Sequence, residues 1–161
     1  MRNKLDIREN VALAPMTTLR VGGAARFYVY ATTEEEVVDS IKWAGEREID
    51  VFVLGGGSNL LVGDAGFSGL VIKIGIGGIE QNGDLVTAGA GEDWDQFVEY
   101  CIKRRLQGVE CLSGIPGLVG GTPVQNVGAY GQEVSESIKT VRVYDRKTDN
   151  LMNLSNEECR F

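Results

Sequence analysis

The chain has 161 residues, of which 43% are hydrophobic and 24% are charged, and its formal net charge is −7. This composition predicts a globular protein with a buried core, built as one domain or as two small lobes. The acidic balance argues against a nucleic-acid partner, since proteins that bind phosphate backbones present basic surfaces. No apolar stretch is long enough to span a membrane, and the charged N-terminus lacks the apolar core of a secretory signal. We therefore predict a cytoplasmic protein.

The residue inventory removes several kinds of catalytic site. The chain contains no histidine, which excludes Ser–His and Cys–His nucleophile pairs and the usual zinc sites. Its three cysteines, Cys101, Cys111 and Cys159, lie far apart and form no CxxC pair. We interpret them as reduced structural thiols, with Cys111 buried, and we predict no metal site.

The first half of the chain predicts strands around one helix. Aromatic and β-branched residues at 26–31 predict a strand. Thr33 followed by Glu36 has the spacing of a capping box, and the helix that it opens is predicted to end near Glu48. Three further strands are predicted: a short buried one at 51–55, one at 70–74 and one at 85–91.

The second half begins with the clearest amphipathic pattern, a helix at about 93–106. Its predicted core face consists of Trp94, Phe97, Val98, Cys101, Ile102 and Leu106. The segment 111–131 has neither helical nor strand period, and such long irregular segments are usually functional. Residues 140–146 and 150–154 predict a hairpin, and Ser155 with Glu158 predicts a final helix cap. The mixed order of strands and helices predicts an α+β fold.

Two glycine-rich segments are candidates for ligand binding. Residues 55–59 read GGGSN directly after a predicted strand, but no GxGxxG fingerprint and no P-loop motif is present. Consecutive glycines can point several N–H groups at one anion, so the motif suits a diphosphate, although a plain tight turn fits it equally well. The second segment, 114–131, offers many backbone groups together with Thr122, Gln125, Asn126 and Tyr130. That lining suits a flat heteroaromatic ring with a hydrogen-bonding edge.

Five stretches together carry a family resemblance. In chain order they are MTTLRVGGAARF (16–27), VLGGGSNLLV (53–62), AGAGEDWDQFV (88–98), IPGLVGGTPVQNVGAYGQE (115–133) and EECRF (157–161). In this combination the chain resembles the UDP-N-acetylenolpyruvoylglucosamine reductases of peptidoglycan synthesis. The resemblance implies an FAD-binding fold of the vanillyl-alcohol-oxidase type. It implies one lobe at 1–75 with the diphosphate cradle, and a second at 76–161 with the flavin-lining segment.

The resemblance also implies which residues bind FAD. Those along the diphosphate would be Gly55, Gly56, Gly57, Ser58, Asn59 and Leu60. Those bordering the flavin and ribityl groups would be Ile115, Pro116, Gly117, Gly121, Thr122, Gln125, Asn126, Val127 and Gly128, with Ala129 near the flavin face. Tyr130 would reach the substrate. Arg20 either faces the flavin pocket or forms a surface ion pair.

The reaction implied by the resemblance is reduction of an enolpyruvyl double bond. NADPH supplies the hydride through FAD, and a UDP-sugar becomes UDP-N-acetylmuramate. No residue here matches the family's catalytic serine, glutamate or Tyr-Arg arginine, so we assign no catalytic residue. We expect the FAD-binding part alone to be inactive, and to self-associate through a face that a substrate domain would otherwise cover. The alternatives are a non-catalytic module that binds a nucleotide or a partner chain, and an oxidase of the same fold. A flavin tethered through histidine is impossible here.

Overall fold

The computed structural model describes residues 5–161. Its central sheet has the strand order β1-β2-β4-β3. The four strands are β1 (Arg8–Ala12), β2 (Ala24–Ala31), β3 (Val51–Leu54) and β4 (Phe67–Ile74). Strands β2 and β3 both run parallel to β4, whereas β1 is antiparallel to β2. The carboxyl ends of three strands therefore meet at one edge of the sheet, which is where ligands usually bind to parallel sheets. Strand β1 was not predicted.

Helix α1 (Glu34–Gly45) connects β2 to β3. The predicted cap is confirmed, because the Thr33 side chain accepts a hydrogen bond of 3.1 Å from the Glu36 backbone N–H. The Glu36 carboxylate bonds to Thr32 and not to Thr33, so the box is shifted by one residue. The helix ends three residues before Glu48. Glu48 itself has a φ of 52°, and this left-handed turn redirects the chain into β3.

The central sheet is buried on both faces. Helix α1 covers one face, where Ala44 packs with Val29, Leu70 and Ile72. The other face is covered by connecting segments, and its core is formed by Leu13, Ala25, Tyr28, Leu54 and Val71. The prediction that β3 is a buried strand is wrong for most of its length. It lies at the sheet edge, and Val53 is 53% exposed.

The second half of the described chain has its own core, built on α2 (Trp94–Lys103). Before this helix, β5 (Ile79–Asn82) and β6 (Leu85–Ala88) form a hairpin, of which β5 was not predicted. The predicted core face of α2 is confirmed at Trp94, Val98 and Cys101. It is wrong at Ile102, which is 49% exposed and takes no part in this core, although Cys101 next to it is buried there. The helix also ends three residues before the predicted boundary.

The remaining elements are short. Strand β7 (Gly128–Ala129) lies at the end of the otherwise irregular segment and pairs with β8 (Gln132–Glu133), just beyond it. The predicted hairpin is confirmed as β9 (Thr140–Asp145) and β10 (Asn150–Ser155). Helix α3 (Asn156–Cys159) follows, with the predicted capping box between Ser155 and Glu158. The fold is therefore α+β, as expected. No helix within residues 5–161 has the length and apolar character needed to cross a membrane.

Two ion pairs join the β9–β10 hairpin to helix α1. The Arg142 guanidinium donates three hydrogen bonds to the Glu34 carboxylate, at 2.8, 3.0 and 3.1 Å. This contact raises the pKa of Arg142. Lys42 lies 2.9 Å from Asp149, whose carboxylate also accepts a 2.6 Å bond from the Tyr144 hydroxyl. Both pairs are exposed, so salt will weaken the docking of the hairpin.

Replacement of Arg142 by Met is expected to loosen the hairpin from α1. We expect faster amide hydrogen exchange across residues 140–155, with little change in global stability, because surface ion pairs contribute weakly. The matched control is Arg146→Met, since Arg146 lies in the same hairpin and forms no ion pair with residues 5–161. Equal exchange in the two variants would contradict the role given to Arg142.

Candidate functional site

The two glycine-rich segments predicted as separate ligand contacts lie against each other. We call residues 55–59 the glycine turn and residues 114–131 the lining loop. A Cβ added to Gly56 would lie 2.9 Å from the Cα of Gly117, so the two backbones are in direct contact. The Ser58 hydroxyl donates a 3.3 Å hydrogen bond to the Pro116 carbonyl. The Asn59 amide donates a 3.4 Å bond to the Gln125 side chain, across a separation of 66 residues.

The glycine turn follows β3 at the carboxyl edge of the parallel strands. Gly57 has a φ of 73°, and its carbonyl accepts a 3.0 Å bond from the Thr18 N–H. A Cβ on Gly57 would collide with the Met16 carbonyl. A third segment, residues 16–18, therefore packs behind the turn, and only glycine fits at position 57.

No backbone carbonyl of residues 5–161 accepts a hydrogen bond from the N–H groups of residues 56–59. Folded proteins satisfy nearly all such groups when they are buried, and Gly57 is buried. A row of unpaired N–H groups in a glycine turn is the arrangement that binds anions such as a diphosphate. Of residues 56–59 only Gly57 is buried, so its N–H is the one whose missing backbone partner is most compatible with an anion site, whereas the more exposed N–H groups would suit a plain turn equally well.

Residues 90–95 hold the first part of the lining loop through the backbone. Trp94 N–H donates to the Gly117 carbonyl at 3.1 Å, and Val119 N–H donates to the Glu92 carbonyl at 2.9 Å. One step further, Gly120 N–H bonds to the Ala90 carbonyl at 2.9 Å. The first part of the loop is thereby fixed to the start of α2 and to the residues just before it.

Two side chains of α2 complete this anchoring. The Trp94 indole is 1% exposed, and its N–H donates a 2.9 Å bond to the Leu112 carbonyl. The Asp95 carboxylate accepts bonds of 2.7 Å from both the Gly114 N–H and the Ser113 hydroxyl. The Gly114 bond, and after it the Ser113 bond, lower the pKa of Asp95. Asp95 thus stays ionised and holds the turn that opens the lining loop.

Some predicted ligand residues use their side chains within the loop. Thr122 is 5% exposed, and its hydroxyl donates to the Val119 carbonyl at 2.9 Å. Asn126 has a φ of 42°, and its amide donates to Glu133 at 2.7 Å while accepting from Ser135 N–H at 3.1 Å. Val127 is buried in the core beside α2. These three residues shape the loop, so any contact they make with a ligand would be through the backbone.

The other predicted residues line the loop surface or its base. Ile115 packs on the α2 core and Leu60 on the sheet core. Gly121, Gln125 and Gly128 are exposed, and Ala129 is half-buried and pairs with Gln132. Tyr130 is 93% exposed with a φ of 53°, so its ring projects from the loop into solvent. The structure thus brings the glycine turn together with the base of the lining loop, while Tyr130 stands apart.

An open pocket of about 580 Å³ lies beside the glycine turn. Gly56 lines it together with Arg20, Tyr28, Tyr30 and Lys73. Arg20 forms no ion pair with any of residues 5–161, so the surface ion pair is not seen, while a place for Arg20 beside the flavin stays a prediction. Lys73 was missed in the sequence. Its signal is a single lysine inside the apolar strand LVIKI, and its ammonium donates to the Gly55 carbonyl.

The structure confirms the predicted burial of one cysteine and corrects that of another. Cys101 is buried in the α2 core, as expected for a structural thiol, and burial raises its pKa. The prediction that Cys111 is buried is wrong, because this residue is exposed at the surface. Its backbone N–H donates a 2.9 Å hydrogen bond to the Gln132 side chain. Within residues 5–161, no three His, Cys, Asp or Glu side chains are grouped so that they could hold a metal ion.

Comparison with known proteins decides the family. A family model described as an FAD binding domain matches residues 25–154. The chain belongs to this family of FAD binding domains. The matched region contains the glycine turn, the lining loop and Lys73, whereas Arg20 and residues 16–18 lie just before it.

Curated relatives agree with the resemblance seen in the sequence. The chain is 49% identical over 158 residues to UDP-N-acetylenolpyruvoylglucosamine reductase from Cutibacterium acnes, covering 95% of this chain and 42% of that protein. It is 46% identical over 149 residues to the reductase of the same name from Streptomyces avermitilis, covering 92% of this chain and 41% of that one. The chain thus spans about two fifths of the length of these relatives.

Solved structures give the same picture of the FAD binding domain. UDP-N-acetylenolpyruvylglucosamine reductase (MurB) from Thermus caldophilus superimposes with a TM-score of 0.76 and 31% identity, over 94% of this chain and 54% of that one. A cholesterol oxidase mutant from Brevibacterium sterolicum aligns with a TM-score of 0.61 at 16% identity, over 96% of this chain and 34% of that one. The second likeness concerns the fold alone, and it supports the predicted fold type.

Replacement of Trp94 by Phe is expected to destabilise the lining loop. The change removes the donor to the Leu112 carbonyl and leaves a cavity, so we expect the free energy of unfolding to fall by about 2–4 kcal/mol in urea titrations. The control is Trp43→Phe, since Trp43 is only partly buried and contacts Phe27 edge-on. If both variants lose the same small amount, Trp94 is not a special anchor.

Replacement of Gly57 by Ala tests the geometry of the glycine turn. A Cβ there meets the Met16 carbonyl at a left-handed φ of 73°, so we expect a loss of about 2 kcal/mol or more in unfolding free energy. Gly55→Ala is the matched control, because nothing lies within 4 Å of its added Cβ. A Gly57 variant as stable as the Gly55 variant would contradict the packing of residues 16–18 behind the turn.

Proposed function

We propose that the glycine turn and the lining loop together bind FAD, with the turn along the diphosphate and the loop bordering the flavin and ribityl groups. The observation that carries this proposal is the direct contact of the two segments at Gly56 and Gly117. One dinucleotide can therefore reach both. The residues proposed to bind it remain the ones predicted from the sequence, Gly55 to Leu60 and the set from Ile115 to Ala129.

The chemistry of the two segments fits the two ends of FAD. The unpaired N–H groups of residues 56–59 suit a diphosphate. Gly55 and Gly121 each have open space in front of a would-be Cβ, which leaves room for a ligand to approach the backbone. When bound, FAD would supply hydride-transfer chemistry, while the chain binds and orients it.

We also propose a division into two lobes, residues 1–75 with the glycine turn and residues 76–161 with the lining loop. The separation of the cores supports this division. The two clusters around the central sheet draw only on residues from Leu5 to Ile74, whereas the α2 cluster draws only on residues from Trp94 to Ile138. FAD would then lie across the junction of the lobes, a common position for ligand sites.

The names of the relatives suggest the wider role. We propose that this domain serves a reductase that uses NADPH and FAD to convert UDP-N-acetylglucosamine enolpyruvate into UDP-N-acetylmuramate, in the cytoplasm. Nearly half of the aligned residues are shared with enzymes of that name, over most of this chain. Tyr130 keeps its proposed contact with the substrate, because its exposed ring projects from the lining loop. Self-association and the lack of a nucleic-acid partner stay predictions.

The test is a titration of flavin-depleted protein with FAD, followed by flavin fluorescence. We expect the wild-type chain to bind FAD and Gly55→Ala to bind it about tenfold or more weakly, because the new methyl group enters the space proposed for the diphosphate. Gly63→Ala is the matched control, since nothing lies within 4 Å of its Cβ and it lies outside the turn.

Three outcomes separate the readings. Failure of the folded wild-type chain to bind FAD would overturn the proposed function. Equal FAD affinity in the Gly55 and Gly63 variants would show that the diphosphate does not bind at the glycine turn. FAD that binds to this chain but is not reduced when NADPH is added would favour the alternative of a non-catalytic nucleotide-binding module.

A further inference from the structure

The pocket beside the glycine turn is positively charged in a chain that is otherwise acidic. The whole sequence has 23 acidic and 16 basic residues. Nevertheless, the pocket lining contains Arg20 and Lys73 and no carboxylate. Neither cation forms an ion pair with any of residues 5–161. Two unpaired cations at one pocket indicate an anionic ligand.

Lys73 is placed there by the sheet register. It lies opposite Tyr30 of β2 and Leu54 of β3, at the carboxyl edge of the parallel strands. It is two residues beyond the buried Val71, so alternation along the strand puts both side chains on the same face. That face is the one that carries the pocket. The next residue after Leu54 is Gly55, whose carbonyl accepts a hydrogen bond from the Lys73 ammonium.

The position of Lys73 lowers stability, because it partly desolvates a charged ammonium, and an anionic ligand would offset this loss. Its ammonium is partly withdrawn from water, and this burial lowers its pKa. The Lys73 ammonium has three N–H donors. One of them bonds to the Gly55 carbonyl, which leaves two for another acceptor. A lysine in an apolar strand is unfavourable for folding alone, because leucine or isoleucine would fill the same place without desolvating a charge.

Arg20 approaches the same pocket from the segment before β2. Its N–H is held at 3.2 Å by the Thr17 hydroxyl, and its φ is 54°, an unusual conformation for arginine. Thr17 is buried, and the next residue, Thr18, bonds to the Gly57 carbonyl. The arginine is therefore anchored to the same turn that the lysine contacts.

We propose that Lys73 and Arg20 form a cationic subsite that binds a phosphate group of FAD beside the glycine turn. This inference rests on the proposed function, and it adds charged contacts to the neutral donors of the turn. The N–H groups of the turn orient the diphosphate, and the two cations neutralise its charge. Charge-assisted hydrogen bonds to phosphate are stronger than neutral ones, so the cations contribute affinity that the turn alone would lack.

The experiment measures FAD affinity at low and high ionic strength by flavin fluorescence. We expect Lys73→Met to weaken FAD binding by about tenfold or more at low salt, and Lys73→Arg to keep most of the affinity. We expect wild-type binding to weaken as salt rises, and binding by Lys73→Met to weaken less steeply. Riboflavin, which has no phosphate, should bind equally to the wild type and to Lys73→Met.

The matched control is Lys103→Met, which makes the same change in net charge. Lys103 is an exposed residue at the end of α2, paired with Glu99 at 2.6 Å. Equal FAD affinity and equal salt dependence in the Lys73 and Lys103 variants would overturn the subsite and leave the proposed function intact. An equal loss for riboflavin would also overturn it, since Lys73 would then act on the shape of the site.

Two further outcomes complete the test. If circular dichroism shows that Lys73→Met does not fold, the subsite is tested instead with the variant Arg20→Met, whose residue is exposed, and with the salt dependence of the wild type. FAD affinity that changes neither with the Arg20 substitution nor with salt would overturn the subsite. Failure of the wild-type protein to bind FAD would overturn both this inference and the proposed function.

Discussion

The close approach of Gly56 to Gly117 is the contact on which the candidate site depends. Any side chain at position 56 would enter the backbone of the lining loop, because its Cβ would lie 2.9 Å from the Gly117 Cα. The glycines of the turn therefore serve the packing of the protein against itself, whether or not an anion also binds there. Ser58 and Asn59 then add side-chain bonds across the same junction. Two segments far apart in the chain become one surface.

The lining loop is held in place by contacts within the protein. Backbone bonds from residues 90–95, the Trp94 indole and the Asp95 carboxylate fix its first half, and the Asn126 amide fixes its second half. A loop without regular structure would otherwise have to be ordered on binding, which reduces affinity. The side chains of Thr122 and Asn126, which the sequence offered as ligand donors, instead hold the loop itself through hydrogen bonds.

The sequence predicted local structure better than it predicted contacts. The Thr33 and Ser155 caps, α2 and the β9–β10 hairpin depend on residues within a few positions, so periodicity and capping chemistry were sufficient. The exposure of β3 and of Ile102 arises because no other segment within residues 5–161 packs over them. The hydrophobic pattern of a short segment does not show which distant segments will cover it. The glycine-rich segments were identified by composition. Their contact was not predictable, because nothing in either segment specifies the other.

Lys73 shows what a local rule can still reveal when it is broken. Strand β4 is buried at Leu70, Val71 and Ile72, and an alternation argument assigns its next positions to the core as well. A charge at such a position lowers stability unless something compensates for it. Natural sequences break such local rules mainly at functional sites. The lysine ends at the Gly55 carbonyl and at a pocket without carboxylates. The break in the apolar pattern therefore coincides with the place where a phosphate would need a positive charge.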